Sequence, residues 1–319
     1  MRKFIVSTFL SVALFSYSYA SFEDGKKAYS TGNYVVALRE FTEAANKGDA
    51  RAQGMLGLMY NSGIGVNVDS SKSIYWLNKA AEQGDTFAQA WMGVQYKNGS
   101  GVSQNYEKAI FFLTAAAKKG QPDAEGALGQ MYEKGLGTAQ NYEKAAEYYI
   151  AAAKQGNPIA QNDLAILYIN GTGVNKDYPL AEQLLIKSAN QGWDKAQFNL
   201  GKIYSEGAVA KINYLEAAKW YRKSASQGNY LSMNNLGMQY AIGNGVKKDI
   251  VVAYALFSFS TEKSTKAEAA KNKNQAYDML TVTDRSKAKT LIAKMQSLGI
   301  DHALTEYFCK SQNEHKYCN

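Results

Sequence analysis

The chain has 319 residues, of which 46% are hydrophobic and only 3 are proline, and this composition favours helix over strand. Its formal net charge of +8 is a mild bias over so long a chain, and solubility explains it without a nucleic-acid partner. Beyond the first 20 residues, no apolar stretch is long enough to predict a transmembrane segment.

The first 20 residues have the pattern of a secretory signal peptide. Arg2 and Lys3 give a positive start, Phe4–Phe15 is a short apolar run, and Ser18-Tyr19-Ala20 offers small residues for cleavage. We therefore expect an exported protein, periplasmic or secreted, that is cleaved after Ala20.

From residue 49 onward the sequence repeats itself every 36 residues. A fixed period of this length is typical of a solenoid, in which each unit uses its neighbours to complete a core. Tyrosine recurs at Tyr60, Tyr96, Tyr132, Tyr168, Tyr204 and Tyr240. Glycine recurs at Gly63, Gly99, Gly135, Gly171, Gly207 and Gly243. Asp or Asn recurs at Asp69, Asn105, Asn141, Asp177, Asn213 and Asp249.

The unit 121–156 shows why each repeat predicts two helices. In the first helix, Leu128 and Tyr132 lie on one apolar face, and Gly129 lets a neighbouring helix approach closely. Gly135 ends this helix, since glycine adopts positive φ at little cost. Asn141 then caps the second helix by accepting a hydrogen bond from an exposed backbone N–H. A capping role accounts for the Asp/Asn series better than a calcium site, because neighbouring members lie one repeat apart.

These patterns predict an all-α chain, an α/α solenoid superhelix of helix-turn-helix repeats. The predicted order is a signal peptide (1–20), an N-terminal capping repeat similar to a tetratricopeptide unit (21–48), six 36-residue repeats (49–264), C-terminal capping helices (265–299) and a polar tail with a cysteine pair (300–319).

The repeat resembles the Sel1-like repeat family, which is related to the tetratricopeptide repeat. The resemblance is carried by Ala-x3-Leu-Gly-x2-Tyr-x2-Gly-x-Gly at Ala124–Gly137, Lys144-Ala145, and Ala-Ala-x-x-Gly at Ala152–Gly156. It implies an adaptor or regulator of protein complexes. Some secreted relatives hold a cysteine pair in every repeat, and a penicillin-hydrolysing activity has been proposed for them. This chain has no cysteine inside a repeat, so neither property carries over.

No motif predicts an enzyme, a cofactor or a metal site. The one Ser-x-x-Lys, Ser260–Lys263, lacks its companion elements and is interpreted as a solvated helix end. Both histidines, His302 and His315, fall in the predicted tail.

The two cysteines, Cys309 and Cys318, also fall in the tail. In an exported chain they predict one disulfide, with free thiols or a metal site that includes His315 as alternatives.

Function is therefore sought at first-helix positions that vary between repeats. By analogy with tetratricopeptide repeats, we expect a concave face that binds a protein or peptide, with apolar anchors among Asn and Lys side chains. The predicted contact residues are Phe87, Val94, Lys97, Asn98, Ile166, Ile169, Asn170, Phe198, Lys202, Asn234 and Met238. In the alternative interpretation, some of these side chains contact the neighbouring repeat as core. Binding to peptidoglycan or another anionic envelope polymer, and penicillin hydrolysis, are the rival functions.

Overall fold

The fold is described from a computed structural model, which covers residues 21–208, 211–263 and 267–312. Within these ranges the chain is helical, with no strand, and no helix is both long and apolar enough to cross a membrane. The predicted signal peptide, 1–20, lies outside the described residues. The helices are α1 (Phe22–Ser30), α2 (Tyr34–Asn46), α3 (Ala50–Ser62), α4 (Ser70–Glu82), α5 (Thr86–Asn98), α6 (Tyr106–Ala117), α7 (Pro122–Lys134), α8 (Tyr142–Lys154), α9 (Pro158–Asn170), α10 (Tyr178–Asn190), α11 (Asp194–Glu206), α12 (Tyr214–Ser226), α13 (Tyr230–Ile242), α14 (Ile250–Lys263), α15 (Ala267–Asp278), α16 (Val282–Leu298) and α17 (Ile300–Gln312).

The helices fall into two compact units that divide at Lys119. Unit 1 holds α1–α6 and unit 2 holds α7–α17. In each unit, the second helix of a repeat packs against the first helix of its own repeat and against the first helix of the next repeat. The predicted all-α solenoid of helix-turn-helix repeats is confirmed within each unit.

A glycine in each first helix lets the second helix pack closely. A Cβ atom at Gly129 would lie 2.5 Å from the ring of Tyr149, which is fully buried. The equivalent glycines Gly57, Gly93, Gly201 and Gly237 lie against Leu77, Leu113, Tyr221 and Phe257 in the same way. The predicted close approach at Gly129 is therefore confirmed, because a large side chain of the second helix lies directly over the glycine.

The turns between paired helices follow the predicted chemistry. Gly135 ends α7 in the left-handed region, with φ 66°. The Asn141 side chain accepts from the backbone N–H of Lys144 at 2.8 Å and so caps α8. The same hydrogen bond is present at all six positions of the series, Asp69, Asn105, Asn141, Asp177, Asn213 and Asp249. The predicted capping role of the series is confirmed.

A row of buried glutamines, which the sequence analysis did not predict, ties neighbouring helices together. The Gln161 side chain donates to the carbonyl of Ala153 at 3.2 Å, and its own oxygen accepts from Gln191 at 2.9 Å. Gln53 and Gln197 make the same pair of bonds in their repeats. In α7 the equivalent residue is Glu125, which is 8% exposed and accepts from Gln155 at 2.8 Å.

We expect Glu125→Gln to stabilise the protein at neutral pH. Burial raises the pKa of the Glu125 carboxyl, while the hydrogen bond from Gln155 lowers it less strongly. Because the pKa of Glu125 is higher in the folded state than in the unfolded state, the stability that its protonated carboxyl contributes is fully present below the unfolded pKa. That contribution is lost as the pH rises through the folded pKa. The gain from Glu125→Gln should therefore be larger at pH 7 than below about pH 4, where the carboxyl is protonated in both states.

Thermal unfolding of the Glu125→Gln variant and of the wild type at both pH values measures this difference. Gln161→Glu is the matched control and should destabilise at pH 7, because it removes a donor from the same row. If Glu125→Gln changed stability equally at both pH values, the raised pKa of the Glu125 carboxyl would be contradicted.

The C-terminal segment corrects one prediction. Residues 300–319 were expected to be a polar tail, but Ile300–Gln312 forms α17. Ile300, Ala303 and Leu304 are buried in the core cluster that includes α12–α14. Their helical spacing places an apolar stripe on a segment whose composition is polar, and the prediction overlooked that stripe.

Polar contacts also attach α17 to the repeats. The Arg222 side chain of α12 donates to the carboxylate of Asp301 at 2.6 Å and to the Thr305 hydroxyl at 2.6 Å. The Tyr307 hydroxyl donates to Asp249 at 3.0 Å. Cys309 lies on α17, and its predicted partner Cys318 lies outside the described residues, so the disulfide stays a prediction.

Candidate functional site

Hydrogen bonds join neighbouring first helices of unit 2 side by side. Gln130 of α7 donates to Asp163 of α9 at 3.1 Å. Asn199 of α11 donates to Asn162 of α9 at 2.8 Å. Asn229, the N-cap of α13, donates to Asp194 of α11 at 2.9 Å, so α9, α11 and α13 form one continuous surface. We call it the first-helix face, and its residues are Asp163, Ile166, Asn199, Lys202, Asn235 and Met238.

Four of the predicted contact residues in unit 2 lie at or beside this face. Ile166 is half-buried, Lys202 is exposed, and Met238 is 36% exposed. Phe198 is half-buried, with its ring centroid 6.1 Å from that of Tyr221, and it packs against the core. The first-helix face therefore presents apolar side chains and the Lys202 ammonium group together. Phe198 offers less surface for binding, because part of its side chain packs against the core.

The other three predicted residues of unit 2 contribute less surface. Ile169 is half-buried and packs against a core cluster that extends from α8 to α11. Asn234 is half-buried and accepts a hydrogen bond from Asn272 of α15 at 3.0 Å. Asn170 is exposed at the end of α9.

The predicted residues of unit 1 lie on α5. Phe87 is 43% exposed and Asn98 is exposed, whereas Val94 and Lys97 are half-buried. Their role in binding stays a prediction.

Tyrosines of the second helices reach toward the first-helix face. The Tyr149 hydroxyl donates to the carboxylate of Glu133 at 2.6 Å. Burial, followed by the nearby carboxylates of Asp163 and Glu133, raises the pKa of Tyr149. The hydroxyl therefore stays protonated and acts as a neutral hydrogen-bond donor.

Tyr221 occupies the same position two repeats later. Its hydroxyl lies 3.1 Å from that of Ser205. Burial raises its pKa, while hydrogen bonds with Ser205 and Asn235 lower it less strongly. The hydrogen-bond partners are acidic at Tyr149 and neutral at Tyr221, where the Glu206 carboxylate lies nearby and also raises the pKa, so the hydrogen bonding of the face differs along its length.

A cavity of about 240 Å³ lies beside Tyr221 at the first-helix face. Its lining includes Ser205, Tyr221, Asn235, Met238, Gln239 and Ile242. Ile242 is 58% exposed, so the lining combines hydroxyl and amide groups and the Glu206 carboxylate with accessible apolar surface. Such a mixture is suited to non-covalent recognition.

The described residues contain no group of three or more His, Cys, Asp or Glu that could hold a metal ion. His302 is exposed on α17, and His315 lies outside the described ranges. Ser260, predicted to be solvated, is instead 1% exposed and donates to the Tyr230 carbonyl at 2.9 Å. That prediction was wrong because the serine hydroxyl joins α14 to the first turn of α13, as Ser188 and Ser224 do between their helices.

Sequence reasoning missed the polar residues of this face, although a signal was present. The residue before the repeated leucine is Asp163, Asn199 and Asn235 in three consecutive repeats of unit 2. A polar residue recurring beside a core position indicates a shared surface role. The tyrosine hydroxyls gave no such signal, because the position of Tyr149 and Tyr221 holds leucine or phenylalanine in the other four repeats, which indicates only a core role.

The comparisons with known proteins agree with this architecture. The family model described as Sel1 repeat matches residues 50–85, 86–121, 122–157, 158–193, 194–229 and 231–264. The chain belongs to the Sel1 repeat family.

Two solved Sel1 repeat structures are similar to this chain. A Sel1 repeat protein from Oxalobacter formigenes is 29% identical, with a TM-score of 0.68, over 77% of this chain and 97% of that protein. A protective antigen of uropathogenic Escherichia coli strains, which displays an SLR fold, is 30% identical with a TM-score of 0.58. That match covers 91% of this chain and 70% of the antigen. A search of curated proteins finds no significant match.

Proposed function

We propose that this Sel1 repeat protein is an exported, non-enzymatic adaptor whose first-helix face binds an extended segment of a partner protein. The observation that carries the proposal is the continuity of that face. Side-chain hydrogen bonds hold α9 beside α11, so apolar side chains are displayed at fixed spacing on rigid helices. Preformed surfaces of this kind lose little conformational entropy on binding.

The residues of the face match what an extended peptide requires. Ile166 and Met238 provide partly accessible apolar contacts, and Lys202 provides a charge near them. Amide side chains such as Asn199 and Asn235 can donate and accept, as a peptide main chain requires. Interfaces commonly depend on a few apolar anchors surrounded by polar contacts.

A selection from random dodecapeptides displayed on phage tests the proposal. Peptides are selected on the mature chain, and the tightest one is synthesised. The double variant Phe198→Ala/Lys202→Ala should bind it at least about tenfold more weakly, since one hot spot contributes roughly 2 kcal/mol.

The chain offers a matched control for this experiment. Leu215 and Lys219 are an exposed apolar residue and a lysine one turn apart on the second helix α12. The variant Leu215→Ala/Lys219→Ala should leave affinity unchanged. Because Phe198 packs partly against the core, helicity and melting of both variants are measured first. Equal loss of affinity in the two double variants would contradict binding at the first-helix face.

Export is part of the proposal and has its own test. Mass spectrometry of the protein purified from its native envelope or medium should find an N-terminus at Ser21, because the cleavage pattern ends at Ala20. A cytoplasmic protein that retains Met1–Ala20 would contradict export while leaving the binding face untouched.

Steep loss of affinity with added salt would instead favour an anionic polymer as the ligand, because screening weakens exposed charge contacts. The same titration with the selected peptide and with purified peptidoglycan separates the two ligand classes.

A further inference from the structure

Gln239 is a glutamine at a core position of α13, and only one other repeat, at Gln95 of α5, has glutamine there. The residues at this position in four other repeats are apolar, namely Met59, Met131, Leu167 and Ile203. Gln239 is only 6% exposed, yet neither its Oε1 nor its Nε2 has a hydrogen-bond partner in the described part of the chain. Buried polar groups in folded proteins are nearly always hydrogen-bonded, so a buried amide with both halves unpaired requires an explanation.

The surroundings of Gln239 explain why its buried amide is unpaired. Gln239 lines the cavity of about 240 Å³ at the first-helix face, together with Asn235 and the Tyr221 hydroxyl. Met238 and Ile242, on either side of it in α13, line the same cavity and are 36% and 58% exposed. The unpaired amide thus lies beside accessible apolar surface, on the face to which we assign binding.

We propose that this cavity binds the main chain of an extended polypeptide, with the N–H and C=O of one residue pairing with the two halves of the Gln239 amide. The inference rests on the proposed function and specifies the chemistry of its ligand. A primary amide offers a donor and an acceptor side by side, and the N–H and C=O of one residue in an extended segment point to the same side and offer the complementary pair. A carboxylate accepts from Nε2 but has no proton to donate to Oε1. The neighbouring side chain of the bound segment is apolar and packs against Met238 and Ile242.

The substitution Gln239→Met separates a ligand contact from a structural defect. Methionine occupies the same position in two other repeats, so the variant should fold and should melt at the same or a higher temperature. Its affinity for the dodecapeptide selected on the wild type should fall about tenfold or more, since the buried hydrogen bonds to the ligand are lost. Gln95→Met, at the same position in α5 of unit 1, is the matched control and should leave affinity unchanged.

A second measurement changes the peptide instead of the protein and is made on both the wild type and Gln239→Met. Each peptide group of the dodecapeptide is N-methylated in turn, which removes one donor at a time. Loss of affinity concentrated at one internal position is expected, and that loss should shrink in Gln239→Met. Unchanged affinity in Gln239→Met, with Phe198→Ala/Lys202→Ala still weakened, would overturn the inference and leave the proposed function standing. If affinity is unchanged in both Gln239→Met and Phe198→Ala/Lys202→Ala, the inference and the proposed function are both overturned.

Discussion

Tyr149→Ala is expected to lower the free energy of unfolding by about 3–5 kcal/mol, the range for losing a buried aromatic side chain. Tyr149 is fully buried in α8 and lies directly over Gly129 of α7. Because the facing residue is a glycine, no side chain on α7 can move in to fill the space left by the ring. Urea unfolding followed by circular dichroism measures the loss.

Tyr149→Phe is the control for the ring. It keeps the packing against Gly129 and removes only the hydrogen bond to Glu133, so about 1–2 kcal/mol should be lost. If Tyr149→Phe costs as much as Tyr149→Ala, the hydroxyl rather than the ring stabilises the repeat, and the close-packing account is wrong.

Leu304→Ala is expected to cost about 2–5 kcal/mol, although it lies in a segment whose composition is polar. Its side chain is fully buried in the core cluster that α17 shares with α13 and α14. The substitution removes that packing and leaves a cavity where α17 meets the last repeat. Unfolding of the full chain in urea measures the effect.

Leu298→Ala is the matched control, because Leu298 is 49% exposed at the end of α16. It should change stability by no more than about 0.5 kcal/mol, as is usual for a surface substitution. Equal effects of the two substitutions would show that α17 does not complete the core.

The periodic part of the fold could be predicted because each structural role recurs at a fixed place in the sequence. Six Asp or Asn residues in phase left few interpretations besides a helix cap, and the structure confirms all six. The close packing at the glycine beside the leucine could be predicted in the same way, since a small residue recurs at that point of every first helix.

The C-terminal helix could not be predicted by the same reasoning, because it has no copy elsewhere in the chain. Only the spacing of Ile300, Ala303 and Leu304 indicates a buried stripe, and a single stripe within a polar segment is easily overlooked. The contacts that attach α17, such as Arg222 with Asp301, join residues far apart in sequence, and no period predicts them.

The candidate site was only partly accessible to sequence reasoning. The borrowed tetratricopeptide positions include Ile166 and Met238, which are partly accessible, and also Ile169, which packs against the core. Gln239 was not selected, because its position is a core position by period. Only the packed structure shows that its buried amide has no hydrogen-bond partner among the described residues.

The most direct test of peptide binding by the first-helix face is photo-crosslinking of the selected dodecapeptide. A benzophenone group replaces one apolar side chain of the peptide, and mass spectrometry locates the crosslinked residues on the mature chain. Crosslinks on α9, α11 and α13, concentrated near Met238 and Ile242, are the predicted result. Crosslinks confined to the second helices α10 and α12 or to α17 would contradict it.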